Sequence, residues 1–143
     1  MLTGRCLCGS CSYTIEGEPV VVAHCYCLDC QRLSGAGHTT GAMFPKDGVT
    51  LTGVPATFSL RGDSGATVTR LFCPTCGSPL FGMNSGMPQF MTVCLGTLDA
   101  SDVSDALRPQ VAIFTRARRP WDETDAGVAT FDAQPNWSPA DGV

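Results

Sequence analysis

The chain has 143 residues, 43% of them hydrophobic and 15% charged, with a formal net charge of -4 and a sequence pI near 4.9. Length and composition predict one globular domain around a single core and exclude a disordered chain. The acidic balance excludes a non-specific nucleic-acid binder, which needs a basic face, and no run approaches the ~18 apolar residues of a membrane span.

Charged residues fall short of the ~25% of an average domain, so something besides a core and a charged surface must hold the fold. Nine cysteines are the obvious candidate. The start, Met1-Leu2-Thr3-Gly4-Arg5-Cys6, carries no apolar leader, so a cytoplasmic location is expected. Thiols stay reduced there and point to metal before disulfides.

In chain order, residues 4–16 alternate, with Cys11, Tyr13 and Ile15 on one parity, as in a half-buried strand. Val20 to Ala23 is a second β-branched run, leading into Cys25, Cys27 and Cys30. A small-residue loop, Ser34 to Gly37, precedes a strand from His38 to Phe44 that Pro45 ends, and Val49 to Thr52 and Ala56 to Leu60 follow. Gly62-Asp63-Ser64-Gly65 reads as the turn of a hairpin whose second strand is Thr67 to Phe72.

Cys73-Pro74-Thr75-Cys76-Gly77 then forms a knuckle, and Pro79 to Gly82 and Gln89 to Leu98 are further strands. Asp99 to Leu107 holds the only plausible helix, capped by Ser101 or Asp102. Gln110 to Thr115 returns to strand, with Trp121 folding back on it, and residues 133–143 read as a loosely held tail after a domain spanning 1–132. Eight or nine short strands and almost no helix predict an all-β domain.

Strand parity separates Cys11 from Cys6 and Cys8 and assigns it to the core; Cys94, between Val93 and Leu95, reads as a second buried free thiol. Cys6, Cys8, Cys73 and Cys76 then make an all-cysteine set of four, the composition of a closed structural zinc site. Such a metal contributes on the order of 10 kcal/mol to a small domain.

Cys25, Cys27 and Cys30 remain as a three-thiolate set. The fourth ligand is His24 or His38, or Cys11 or Cys94, or an exchangeable water or substrate. With that position exchangeable, three thiolates on zinc carry a net charge of about -1, which weakens activation of water and suits an incoming thiol instead. Zinc lowers that thiol's pKa, and carbon-sulfur bond making or breaking is the natural chemistry.

Gly4-x-Cys6-x-Cys8-Gly9-x-Cys11-x-Tyr13, Cys25-x-Cys27-x-x-Cys30-Gln31-x-x-Ser34-Gly35, Phe72-Cys73-x-x-Cys76-Gly77-x-Pro79-Leu80 and Gly96-Thr97-Leu98-Asp99 together resemble the glutathione-dependent formaldehyde-activating enzyme and centromere protein V (GFA/CENP-V) family, from Gly4 to about Trp121. The resemblance implies a β-tent of small packed antiparallel sheets. It implies two zincs per chain, one structural at Cys6, Cys8, Cys73 and Cys76, the other catalytic and labile at Cys25, Cys27 and Cys30. The implied activity is a lyase reaction joining glutathione and formaldehyde into S-hydroxymethylglutathione.

A glutathione site needs cations for two carboxylates, and Arg32, Arg70, Arg116, Arg118 and Arg119 are available. Arg32 is closest in sequence to the three-cysteine set and is the expected substrate-binding residue, while 116–119 reads as a solvated turn. Two alternatives stand beside the enzyme: a binding module with both metals structural, and a sulfoxide reductase using Cys94 as nucleophile.

Overall fold

The computed structural model describes residues 1–102 and 104–135. Among the described residues, eleven strands form two sheets. The small sheet has the order β1-β2-β5, from β1 (Leu2–Arg5), β2 (Ser12–Ile15) and β5 (Val49–Thr52), all antiparallel. The large sheet takes in β3 (Val21–Cys25), β4 (Thr39–Pro45), β6 (Ala56–Arg61), β7 (Thr67–Phe72), β8 (Pro79–Asn84), β9 (Phe90–Cys94), β10 (Val111–Ile113) and β11 (Ala129–Thr130). Its order is β11-β10-β3-β4-β9-β8-β7-β6, antiparallel except that β10 runs parallel to β3 and β11. The all-β reading with little helix therefore holds, and no helix among the described residues is long and apolar enough to cross a membrane.

Alternation decides which residues make the core. Tyr13 and Ile15 of β2 meet Val22, Ala42, Phe44, Phe81 and Val93 of the large sheet. The Tyr13 and Phe81 rings pack edge to face with centroids 4.8 Å apart, a preferred aromatic geometry. The opposite parity of the large sheet, including Ala23, Cys25, Gly41 and Arg70, lines a cleft.

Four expectations need correction. The alternating stretch 4–16 is two strands, because residues 6–9 turn: the Gly9 N–H donates to the Cys6 carbonyl at 3.1 Å, with Gly9 at φ +82°. The strand from Gln89 stops at Cys94, where the Thr97 hydroxyl donates to the Cys94 carbonyl at 2.8 Å and Leu95–Thr97 forms a 3-10 turn. The helix expected over Asp99 to Leu107 is a pair of 3-10 turns, Ala100–Asp102 and Asp105–Leu107. The α-helix among the described residues is α1, Leu28–Ser34.

The first of those turns serves as a clasp. The Thr3 hydroxyl reaches Asp99 at 2.7 Å and Asp102 at 2.9 Å, and the Thr3 N–H donates to Asp102 at 2.6 Å. Asp carboxylates so engaged favour a tight turn over a propagating helix. Trp121 is the fourth correction: it is 71% exposed and does not fold back on β10. Of the tail expected from 133, residues 136–143 lie outside the described residues.

Gly4 lets the small sheet close on the Leu98 segment. It pairs with Tyr13 on β2 and bridges to Leu98, and a Cβ there would overlap the Tyr13 ring and lie 2.6 Å from the Thr97 carbonyl. Gly4→Ala is expected to destabilise the fold by about 1–3 kcal/mol, read as a lowered urea midpoint. The Asp102 carboxyl is held below its ordinary value of 3.8 by the Thr3 backbone N–H and then the hydroxyl. Its contribution is present above that ordinary value and is lost as pH falls through the depressed one. Asp102→Asn should therefore show a shallower loss of stability than the parent as pH falls below about 4 in acid unfolding curves.

Candidate metal centre

The first sulfur cluster joins two turns from different sheets. Beyond β1, the Cys11 N–H donates to Cys6 Sγ at 3.3 Å. At the knuckle after β7, the Gly77 N–H donates to the Cys73 carbonyl at 2.9 Å, with Gly77 at φ +76°, a conformation glycine adopts without strain. The sulfurs of Cys6, Cys8, Cys73 and Cys76 all lie within 4.8 Å of one another. Cys8 Sγ is 3.6 Å from Cys6 Sγ and 3.7 Å from Cys73 Sγ.

Hydroxyls prepare these thiols. Ser10 Oγ lies 3.1 Å from both Cys8 and Cys73, and Ser78 Oγ lies 3.2 Å from Cys76. The Ser10 hydroxyl holds the Cys73 thiol down to about 5, and Ser78 holds Cys76 down to about 7. Four sulfurs at this spacing, with two held toward thiolate, suit a tetrahedral cation. Cys11 is buried beside them and is not a member of the group.

The second cluster is built on the strand-to-helix junction. Cys25 ends β3, Cys27 is the N-cap of α1, and Cys30 lies in its first turn, its N–H donating to Cys27 Sγ at 3.3 Å. Asp29 in the first turn and Arg32 in the last suit the helix dipole, and Gly35 closes the helix at φ +68°. These three sulfurs also lie within 4.8 Å of one another. Hydrogen bonds from Cys25 and then Cys27, with help from Thr39 and Arg70, hold Cys30 down to about 2 against its burial. The same bonding pushes Cys25 far above the ordinary thiol range, chiefly through Cys27.

None of the four expected protein donors completes this trio among the described residues. His24 Nδ1 meets the Thr40 hydroxyl at 2.9 Å, and His38 Nδ1 meets Asp122 Oδ2 at 2.6 Å. Cys11 lies beside the first cluster. Cys94 is pushed up to about 11 by burial, with the Arg70 guanidinium close enough to oppose that rise.

Arg70 is the arginine at the trio: its Nη2 lies 3.7 Å from Cys30 Sγ. Its cross-strand partner is Gly82, where a Cβ would come within 2.8 Å of Nη1, so the missing side chain gives the guanidinium its path. Arg32 is not brought there. Its side chain is 74% exposed, reaches Asp29 at 3.8 Å, and borders a separate shallow depression with Arg119 and Trp121. Strand parity could have singled out Arg70, because it alternates with the buried Leu71 on β7.

The run 116–119 is exposed at its three arginines, as a solvated turn requires, and two of them are tethered. Arg119 Nε donates to Gln31 Oε1 at 2.7 Å, and Arg118 Nη1 donates to the Asp122 carbonyl at 2.7 Å. The buried Gln31 in turn donates to the Tyr26 and Ala117 carbonyls at 2.8 and 2.9 Å. Gln31 therefore ties the cysteine loop, α1 and the 115–122 segment together. The trio sits at the inner end of the cleft, whose volume is about 880 Å³.

Comparison with known proteins agrees with this architecture. The sequence model of the glutathione-dependent formaldehyde-activating enzyme family matches residues 1–117. A crystal structure of a Rhodobacter sphaeroides protein, a structural genomics target, superposes with a TM-score of 0.57 at 19% identity, covering 72% of this chain and 91% of that one. At that identity the likeness shows a common fold.

Gln31→Leu removes one side chain and leaves two carbonyls and the Arg119 guanidinium without their partner. A loss of about 1–3 kcal/mol is expected. Faster amide exchange confined to residues 26–31 and 115–119 would trace the loss to this tie.

Proposed function

Because the chain belongs to the glutathione-dependent formaldehyde-activating enzyme family, we propose that it is a carbon-sulfur lyase that joins a thiol and a small aldehyde into an S-hydroxymethyl adduct, or splits that adduct. Glutathione and formaldehyde are the first pair to try. One observation carries the reading: three cysteine sulfurs with no fourth side-chain donor, among the described residues, stand at the inner end of a cleft beside Arg70.

The donor chemistry fits zinc at both groups. Cys6, Cys8, Cys73 and Cys76 supply a complete structural set, and Cys25, Cys27 and Cys30 supply the three protein ligands characteristic of a catalytic one. Zinc held by the trio supplies Lewis acidity that favours the deprotonated form of an incoming thiol. The remaining contributions come from the chain. Arg70 sets a positive charge against the clustered sulfurs and toward the oxygen that becomes negative when a thiolate adds to a carbonyl. In that step the carbon-sulfur bond forms, the carbonyl π electrons move to oxygen, and solvent returns a proton. The apolar cleft wall keeps competing water from the carbonyl.

Elemental analysis of the replete protein should give two zincs per chain. Cys27→Ser should lose one of them and remain folded, whereas Cys76→Ser should lose the folded state. In a cobalt-substituted sample, glutathione should change the visible spectrum of the parent but not of Cys27→Ser. A parent spectrum indifferent to every thiol would leave a metal-braced binding module and remove the lyase reading.

A further inference from the structure

The cleft is far larger than a one-carbon aldehyde requires, and its chemistry is unlike that of a peptide thiol with two carboxylates and an amine. At about 880 Å³ it lies within the range of drug-sized ligand sites. Its lining has one cation, Arg70, placed against the sulfur trio at the inner end. Its two acidic residues, Asp29 and Asp63, lie toward solvent and already pair with Arg32 at 3.8 Å and Arg116 at 3.6 Å. Away from the trio the wall is mostly apolar, with Val21, Met43, Val68, Phe90, Ile113 and Phe131, interrupted by Ser64, Asn84 and Gln134.

The floor is made for a body that lies along it. Ala23 and Gly41 occupy neighbouring strands of the face that carries Cys25, and Thr92 of β9 and Gly82 of β8 continue it. The Thr92 methyl lies beside Gly41 and the Arg70 guanidinium beside Gly82, so small side chains separate the sulfurs from the larger ones further out. Gly41 cannot grow, because a Cβ would press on the Thr92 methyl 2.6 Å away. A molecule whose sulfur is at the inner end has its remaining atoms over this floor, in contact with hydrocarbon.

We infer that the thiol substrate of this cleft is an apolar one, carrying an extended alkyl or aryl body and a single anionic group next to its sulfur, which Arg70 meets. The inference rests on the thiol reading of the cysteine trio and narrows it: a glutathione-like thiol brings an ammonium and a second carboxylate to a wall that is mostly hydrocarbon, whose two carboxylates are already paired with arginines, which is costly.

The test is calorimetric titration of the metal-replete full chain with α-mercaptoalkanoates from the propionate to the octanoate, and with glutathione. Affinity should rise by up to about fourfold per buried methylene, so the octanoate, with roughly five more methylenes, exceeds the propionate by up to about a thousandfold and also exceeds glutathione. Its carboxamide should bind about tenfold more weakly, as loss of a charged hydrogen bond requires. Met43→Glu should abolish the gain with chain length while metal content and thermal unfolding stay as in the parent.

A series that is flat in chain length, or glutathione as the tightest ligand, overturns the inference and leaves the thiol reading standing. An S-methyl ether of the octanoate that binds as well as the thiol supports the apolar cleft and sinks the thiol reading. Dimerisation that none of these ligands disturbs, seen by sedimentation, overturns the inference in favour of a second copy covering the face.

Discussion

The fold depends on bringing four sulfurs from opposite halves of the chain to one point. Cys6 and Cys8 hang from the small sheet, Cys73 and Cys76 from the large one, and their convergence fixes how the two sheets meet. The core between them holds few large side chains, chiefly Tyr13, Ile15, Phe44, Phe81 and Leu80. Four sulfurs within 4.8 Å of one another, with Cys73 and Cys76 held toward thiolate, repel one another unless a cation stands among them. The same arrangement that would be costly with free thiols becomes a source of roughly 10 kcal/mol with a bound metal. That magnitude exceeds what any single core contact provides.

One strand then serves both the core and the chemistry. On β3, Val22 is fully buried between the sheets, while Val21, Ala23 and Cys25 line the cleft. The period of two that makes the core is therefore also what delivers a thiol to the far face. Across the same face, β8 contributes Gly82 where β7 contributes Arg70, and the guanidinium uses the space the glycine leaves. Position in the sheet, more than proximity in sequence, selects which arginine meets the sulfurs.

That is also where sequence reading reached its limit. Residue types and spacing were enough to partition seven cysteines into a four and a three, because metal ligation imposes short spacings that survive without knowledge of the fold. Strand existence was legible from alternation and from Gly and Pro punctuation. Turns hidden inside alternating stretches were not: Cys6 to Gly9 keeps the pattern while the chain reverses. The helix α1 is concealed by its cysteines, since one as N-cap and another in the first turn read as candidate ligands before they read as helix. Sequence points to Arg32 over Arg70 because nearness along the chain is visible in it and cross-strand pairing is not.

The two sulfur groups differ in what holds them. Cys6 and Cys8 sit on a turn that reaches Cys73 and Cys76 only across a sheet interface, so a bound metal and the tertiary structure would support each other. Cys25, Cys27 and Cys30 come from six consecutive residues that the backbone already organises through the Cys27 cap, and Gln31 fastens that loop from behind to Tyr26, Ala117 and Arg119. The His38 and Asp122 contact adds a second tie to the same outer segment. A trio placed by protein contacts keeps its shape whether or not a fourth ligand is present, which is the preorganisation a site of ligand exchange requires. A tetrad that depends on its metal for closure could not exchange a ligand without loosening the fold.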